Sequence, residues 1–235
     1  PKEPDDAHNS YDWSADFGAL LTRPITAGHF PFHLGLRLFP LAILFTRDEH
    51  TTVSAFDLKG RALNEARAWV ANHLAGVGLD SASLKAPRPQ DGWPSDRLFD
   101  AAPGEQELSF YFNNAFPLLQ EILAPFEDAS PIRCWPHHFD VASTLQWDEG
   151  ERFISVGFSP GDEDYGAPYF YVTPGPYRDA GSLPDLGAGH WHTQGWTGAV
   201  LPAGDIVAMP GDKQREFTRN WLTNTITIAR RLLDV

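Results

Sequence analysis

Two spacings of apolar residues can be distinguished in the first half of the chain. The apolar segment 32–46 (FHLGLRLFPLAILFT) predicts one or two strands, and the alternation in 51–58 (TTVSAFDL) predicts another. Apolar residues at helical spacing predict a helix from Arg61 to Gly76, where glycine supplies the stop. We also predict a short strand at 81–87 (SASLKAP), followed by a connector rich in proline and glycine.

Two further helices are predicted in the second half. The first runs from Glu105 to Phe126, and because Pro117 lies inside it we expect a kink, or a division near Ala115–Phe116. The last runs from Asp212 to Leu233, with Asp212 as the N-cap. Its expected buried stripe is Phe217, Trp221, Ile228 and Leu232.

Between these helices the pattern changes to strands separated by turns. The predicted strands are 132–147, 152–158, 168–173, 189–193 and 198–201. Strand pairs joined by turns, with the helices in blocks, indicate an α+β fold with a mostly antiparallel sheet and flanking helices. We expect residues 1–10 to form a flexible arm and 11–235 to form a single domain. Any internal boundary should fall near 86–104.

The composition limits the classes of partner. The formal net charge is -13, so nucleic acid and anionic membrane surfaces should be repelled. The single cysteine, Cys134, cannot form an intrachain disulfide, which favours a reducing, cytoplasmic setting. We expect its thiol to be buried and structural, because it has no CxxC partner.

Two histidine-containing stretches carry the candidate chemistry. If 135–147 is a continuous strand, His138 and Asp140 share a polar face with Ala142, Thr144 and Gln146. The same period of two places His190 and His192 together. We expect His138, Asp140 and at least one of His190 and His192 to meet in one concave region, with these four as the candidate catalytic residues. They could serve as ligands of Zn²⁺ or Fe²⁺, or as an acid–base site in which Asp140 orients a histidine.

An aromatic pocket is the companion hypothesis. Its candidate ligand-binding residues are His137, Tyr169, Tyr171, Trp191 and Gln194. The acidic run Asp162 to Asp164 lacks the spacing of a calcium loop and favours a solvated turn over a cation site. GFSPG (157–161) matches a nucleophile elbow in its letters only, because Pro160 lacks the N–H that an oxyanion hole would need after Ser159.

Three functions remain open on these observations. One is a small-molecule enzyme that uses the histidines and Asp140, with or without metal. The second is a small-molecule-binding module without turnover, and the third is a structural or protein-interaction domain in which the histidines only pack. The sequence pattern indicates neither a substrate nor an oligomeric state.

Three motif-bearing stretches resemble known sequences. They are SPIRCWPHHFDVA (130–142), SVGFSPGDEDYGAPYFYVTPGPY (155–177) and GHWHTQGWTGAVLP (189–202). The series resembles a group of bacterial hypothetical proteins without assigned activity and, more distantly, a larger bacterial family of unknown function. The larger family has small residues at the positions of His137 and His138 and no clear GHWH. The resemblance implies a single α+β unit that allows two related halves, and it implies no reaction.

Overall fold

The computed structural model describes residues 9–48, 50–80, 94–100, 104–176 and 183–235. These residues form two antiparallel sheets and four helices, which confirms the predicted α+β class. The chain divides into two compact units, which we call the N-terminal unit (Tyr11–Phe110) and the C-terminal unit (mainly Tyr111–Val235). None of the described helices combines the length and the apolar character needed to cross a membrane.

The N-terminal unit contains a five-stranded antiparallel meander. Its strands, in both chain and sheet order, are β1 (Asp12–Ser14), β2 (Ala19–Leu21), β3 (His33–Arg37), β4 (Ala42–Thr46) and β5 (Thr52–Asp57). Helix α1 (Leu63–Gly76) packs its buried Leu74 against Phe32 and Phe45. The two phenylalanine rings stack with centroids 4.9 Å apart, so this cluster ties the helix to the sheet.

The C-terminal unit contains a six-stranded antiparallel sheet. Its strands are β6 (Arg133–Trp135), β7 (Asp140–Trp147), β8 (Arg152–Ser159), β9 (Tyr169–Gly175), β10 (His190–His192) and β11 (Gly198–Pro202). Their order in the sheet is β10-β11-β9-β8-β7-β6. Three helices accompany the sheet: α2 (Glu105–Leu123), which begins in the N-terminal unit, α3 (Ala203–Val207) and α4 (Gly211–Leu233).

The two faces of this second sheet differ in chemistry. Alternate residues of the central strands are apolar and buried, among them Leu145, Ile154 and Val172, each 0% exposed. This apolar face packs against α4, and Phe158 on it contacts Phe112 of α2. The opposite face, which we call the polar face, carries small, polar and aromatic side chains, as expected for an antiparallel sheet covered on one side.

Helix α2 corrects the expected division near Ala115–Phe116. The helix continues without interruption through Pro117 to Leu123. An interior proline costs about 3 kcal/mol, because it removes a hydrogen bond and crowds the preceding turn. Burial of the neighbouring Leu118 and Leu119, which are 4% and 0% exposed, offsets that cost.

Helix α4 differs from its prediction at its start and on its buried stripe. Its N-cap is Pro210, and Asp212 lies in the first turn instead of capping. Of the four residues expected on the stripe, only Trp221 is buried. The buried residues are Thr218, Trp221, Leu222, Thr225, Ile226, Ala229 and Leu233. The Thr218 hydroxyl can enter the core because it donates to the Gln214 carbonyl, at 2.8 Å, within the helix.

Three expectations fall wholly or partly on residues that are not described. The arm at 1–10 is described only at 9 and 10, and the strand at 81–87 lies outside the described residues. Most of the expected boundary region, 86–104, also lies outside them. The two units divide between Phe110 and Tyr111, a few residues beyond that region.

A pair of neighbouring substitutions tests the assignment of the two faces. Leu145→Ala should lower the free energy of unfolding by about 2–5 kcal/mol, because truncating this fully buried side chain leaves a cavity in the core. Gln146→Ala, one residue along β7 on the exposed side, should change it by no more than about 0.5 kcal/mol. Urea unfolding followed by circular dichroism measures both, and equal effects would contradict the assignment.

Candidate functional site

A cavity of about 850 Å³ lies on the polar face of the C-terminal unit. The described residues that line it are His137, His138, Asp140, Phe153, Ser155, Ser159, Gly161, Asp162, Glu163, Asp164, Tyr169, Tyr171, Thr173 and Trp196. The strand period explains six of these residues, three on β8 and three on β9, since residues at alternate positions of a strand project to the same side. Tyr169, Tyr171 and Thr173 of β9 share this side of the sheet.

Aromatic rings lie close to the backbone at the floor of the cavity, because three glycines there carry no side chain. A Cβ placed on Gly157 would be 2.5 Å from the Tyr171 ring and its hydroxyl. A Cβ on Gly175 would be 2.2 Å from the Phe153 ring, and one on Gly198 would be 2.4 Å from the Trp196 ring. Contacts this short leave no room for a side chain, so each glycine marks a place where a ring reaches across a neighbouring strand.

Asp140, the first residue of β7, is the most buried carboxyl group among the described lining residues, with 9% of its surface exposed. The Tyr171 hydroxyl, reaching over Gly157, donates a hydrogen bond to its Oδ2. Its Oδ1 is buried and has no hydrogen-bond partner among the described residues. Burial raises the pKa of this carboxyl, while the Tyr171 bond and the nearby His138 and His137 oppose the rise.

His137 and His138 lie in the turn between β6 and β7, which corrects the expectation that His138 belongs to the strand. Pro136 begins the turn, as proline often does, and Phe139 ends it in the left-handed region with φ 57°. The backbone N–H of Phe139 donates to the Trp135 carbonyl at 2.6 Å. The two imidazoles are therefore exposed at the mouth of the cavity, with ring centroids 4.5 Å apart.

The acidic run Asp162 to Asp164 belongs to a loop at residues 160–166, which we call the rim loop. Oδ1 of Asp162 accepts from the backbone N–H groups of Asp164 and Tyr165, each at 2.9 Å. Its Oδ2 accepts a hydrogen bond from the Tyr169 hydroxyl, whose pKa is raised by burial and by this bond. The acidic run thus forms a turn that Asp162 stabilises by hydrogen bonds, and the carboxylates of this turn line the cavity.

His190 and His192 project together from β10, as the period of two predicts, and both contact Tyr165. The Tyr165 hydroxyl lies 3.0 Å from His190 Nε2 and 2.9 Å from His192 Nδ1. His192 Nε2 lies 2.6 Å from the Gln194 carbonyl, which can only accept, so this nitrogen carries the hydrogen. With neutral imidazoles, Tyr165 therefore donates to His192 and accepts from His190.

The four residues expected to meet form two separate groups. His138 and Asp140 line the cavity, whereas His190 and His192 bond the rim loop and are not among its described lining residues. Between β7 and β10 lie three strands, so the strands are separated by about 19 Å at about 4.8 Å per spacing. Within the described residues, no three His, Cys, Asp or Glu side chains are grouped so as to hold a metal ion.

Trp191 and Gln194 are not among the described residues that line the cavity. Trp191 donates its indole N–H to the Pro184 carbonyl at 2.7 Å, and Gln194 offers its backbone carbonyl to His192. Ser159 lines the cavity, and its hydroxyl oxygen accepts from the Gly161 N–H at 3.1 Å. Cys134 is buried at 1% exposure, as predicted, and burial raises the pKa of its thiol.

Several lining residues were not predicted from the sequence. Phe153, Ser155 and Ser159 alternate with buried apolar residues along β8, so the period-two pattern of 152–159 could have identified them. Trp196 follows β10 and stacks on His192 with centroids 4.3 Å apart. Its place in the cavity depends on Gly198, and no local pattern indicates that contact.

The floor of the cavity can bind a ligand through one buried carboxyl, several hydroxyls and flat aromatic surfaces. Asp140 can accept a hydrogen bond or exchange a proton, and Tyr171 holds it in place. No family model matches the chain, and neither a curated protein nor a solved structure matches it.

Gly157→Ala tests whether the absence of a side chain at Gly157 allows the Tyr171 ring to take its position. The φ angle of Gly157 lies outside the left-handed region, so alanine is disfavoured there only by its contact with the Tyr171 ring. The ring should move and the hydrogen bond to Asp140 should be lost, which lowers the free energy of unfolding by about 1–3 kcal/mol. Carbon-13 NMR of the Asp140 carboxyl should show its pKa rising further.

Gly204→Ala is the matched control. It lies in α3, where an added Cβ meets no described atom within 4 Å. Neither the Asp140 titration nor the fold should change with this substitution. An unaltered Asp140 titration in Gly157→Ala would contradict the proposed role of the glycine.

Proposed function

We propose that this protein binds a small organic molecule in the cavity of the C-terminal unit, with Asp140 as the group that recognises it. The observation that carries the proposal is the Oδ1 atom of Asp140, which is buried without a hydrogen-bond partner among the described residues. Leaving a buried acceptor unsatisfied costs about 1–3 kcal/mol, and more when the group is charged. A ligand with a hydrogen-bond donor would remove that cost when it binds.

The shape and lining of the cavity support the same proposal. Its volume of about 850 Å³ lies within the range of small-molecule sites. Aromatic walls and a few convergent polar groups are the usual lining of such sites, and here the aromatic walls are Phe153, Tyr169, Tyr171 and Trp196. The Asp140 side chain can turn either oxygen toward a ligand, because the terminal torsion of a carboxyl is soft.

Acid–base catalysis on the bound molecule is a second candidate function. It is favoured by the raised pKa of Asp140, since raising the pKa of a carboxyl moves it toward the range in which it can act as a general acid. His138 and His137 lie close enough to Asp140 to influence its pKa. In this version, which uses no metal, either imidazole could exchange a proton with the ligand at the mouth of the cavity.

The pH dependence of stability distinguishes a recognition group from a structural one. Because the folded pKa of Asp140 is raised, its contribution to stability is fully present below the unfolded pKa of about 3.9 and is lost as the pH rises through the folded value. Asp140→Asn keeps an oxygen for Tyr171 and removes the charge. The variant should therefore gain stability over the unmodified protein as the pH rises from 4 to 7.

The measurement is urea unfolding at several pH values, with about 1.4 kcal/mol expected for each unit by which the folded pKa is raised. Gln146→Ala, on the same strand and exposed, should show no pH-dependent difference. A loss of stability in Asp140→Asn that grows toward pH 7 would mean that the carboxylate serves the fold instead.

A compound library tests binding itself. We expect members of a library of small cations, anions and neutral polar compounds to raise the melting temperature of the unmodified protein and of Gln146→Ala. The same compounds should have little effect on Asp140→Asn, because the donor they carry has lost its acceptor. No shift with any compound, or equal shifts in Asp140→Asn, would contradict the proposed function.

A further inference from the structure

We infer that the ligand of this cavity is an organic ammonium ion, with N–H donors on the positive nitrogen and an apolar body. The inference rests on the proposed function, since it names the ligand class of that same site. It depends on three features of the described residues: the charge of the lining, the free oxygen of Asp140 and the aromatic floor.

The charge of the lining favours a cation. Four carboxyl side chains line the cavity: Asp140, Asp162, Glu163 and Asp164. None of the described lining residues is a lysine or an arginine. Among the lining residues that the structure describes, the only groups that can become positive are His137 and His138, which are exposed at the mouth. A concave site lined by one sign of charge concentrates ligands of the opposite sign.

Asp140 supplies an observation independent of the three carboxylates of the rim loop. Asp140 is about nine-tenths buried, and the Tyr171 hydroxyl donates to one of its two oxygens, as described above. The other oxygen, Oδ1, lacks a partner among the described residues, so the site is incomplete on its own. An ammonium N–H would satisfy this oxygen and neutralise the buried charge at the same time, and such charge-assisted bonds are the stronger kind.

The aromatic floor suits the rest of such a ligand. The rings of Tyr171, Phe153 and Trp196 lie close to the sheet over their glycines and line the cavity. A cation above an aromatic face is attracted to the negative centre of the ring. The apolar body of the ligand would cover the remaining ring surface.

The competing ligand classes fit less well. An anion would meet four carboxyl groups without a lysine or arginine among the described lining residues. A neutral polyol could bond Asp140 Oδ1, but it would leave the buried carboxylate charge without a counter-charge. An ammonium ion that lacks N–H, such as a quaternary one, would supply charge but no donor.

Four probes built on one scaffold separate these classes: 2-phenylethylammonium, its trimethylammonium analogue, 2-phenylethanol and phenylacetate. Titration calorimetry at pH 7.5 should show 2-phenylethylammonium binding the unmodified protein at least about tenfold more tightly than each of the other three. Asp140→Asn should reduce that affinity to the level of 2-phenylethanol. Gln146→Ala, whose side chain lies outside the cavity lining, should bind all four probes like the unmodified protein.

Each contrary outcome overturns a stated part of the inference. If 2-phenylethanol or phenylacetate binds as tightly as the ammonium, the cationic class is wrong, while the proposed binding function stands. If the trimethylammonium analogue binds equally well, the N–H contact to Asp140 is wrong. If none of the four binds, the inference fails, and the compound library then decides the proposed function by itself.

Discussion

A carboxyl group taken almost wholly out of water must be held by whatever donors the fold can bring to it. For Asp140, that donor is the hydroxyl of Tyr171, which stands two strands away and reaches it only because Gly157 leaves the intervening strand bare. The arrangement satisfies one oxygen and leaves the other free. The depth of the cavity, the raised pKa and the proposed choice of ligand all depend on this half-satisfied group.

The position of the cavity follows from the way the sheet is covered. An antiparallel meander needs a packing partner on only one face, and here helices and apolar side chains occupy that face. The other face does not pack against the core, so it can carry hydroxyls, glycines and a carboxyl. Segments that join the strands, the turn with His137 and His138 and the rim loop, then supply the walls.

The sequence predicted the local elements better than their assembly. The spacing of apolar residues along the chain predicted α1, α4 and the strands from β7 onward to within a few residues, because such spacing is a local signal. The three-residue strands β1 and β2 were missed, since they are too short to show a period. His138 was placed in a strand because the proline before it was not taken as the start of a turn.

The site was predicted only in part, for a related reason. The pattern identified Asp140, Tyr169 and Tyr171, but the strand order that separates β7 from β10 is a property of pairing and not of the residues themselves. Asp140 and Tyr171 are 31 positions apart, and nothing local links them.

The three glycines beneath the aromatic rings have a consequence for how this protein tolerates change. Gly157, Gly175 and Gly198 lie on the polar face of the sheet, away from the apolar face that packs against α4. Each nevertheless has a ring directly above its backbone, so even a methyl group would displace an aromatic side chain that shapes the cavity. In a survey of all single substitutions, these three positions should therefore be as intolerant as core residues, and the defect should be in ligand binding before it is in folding.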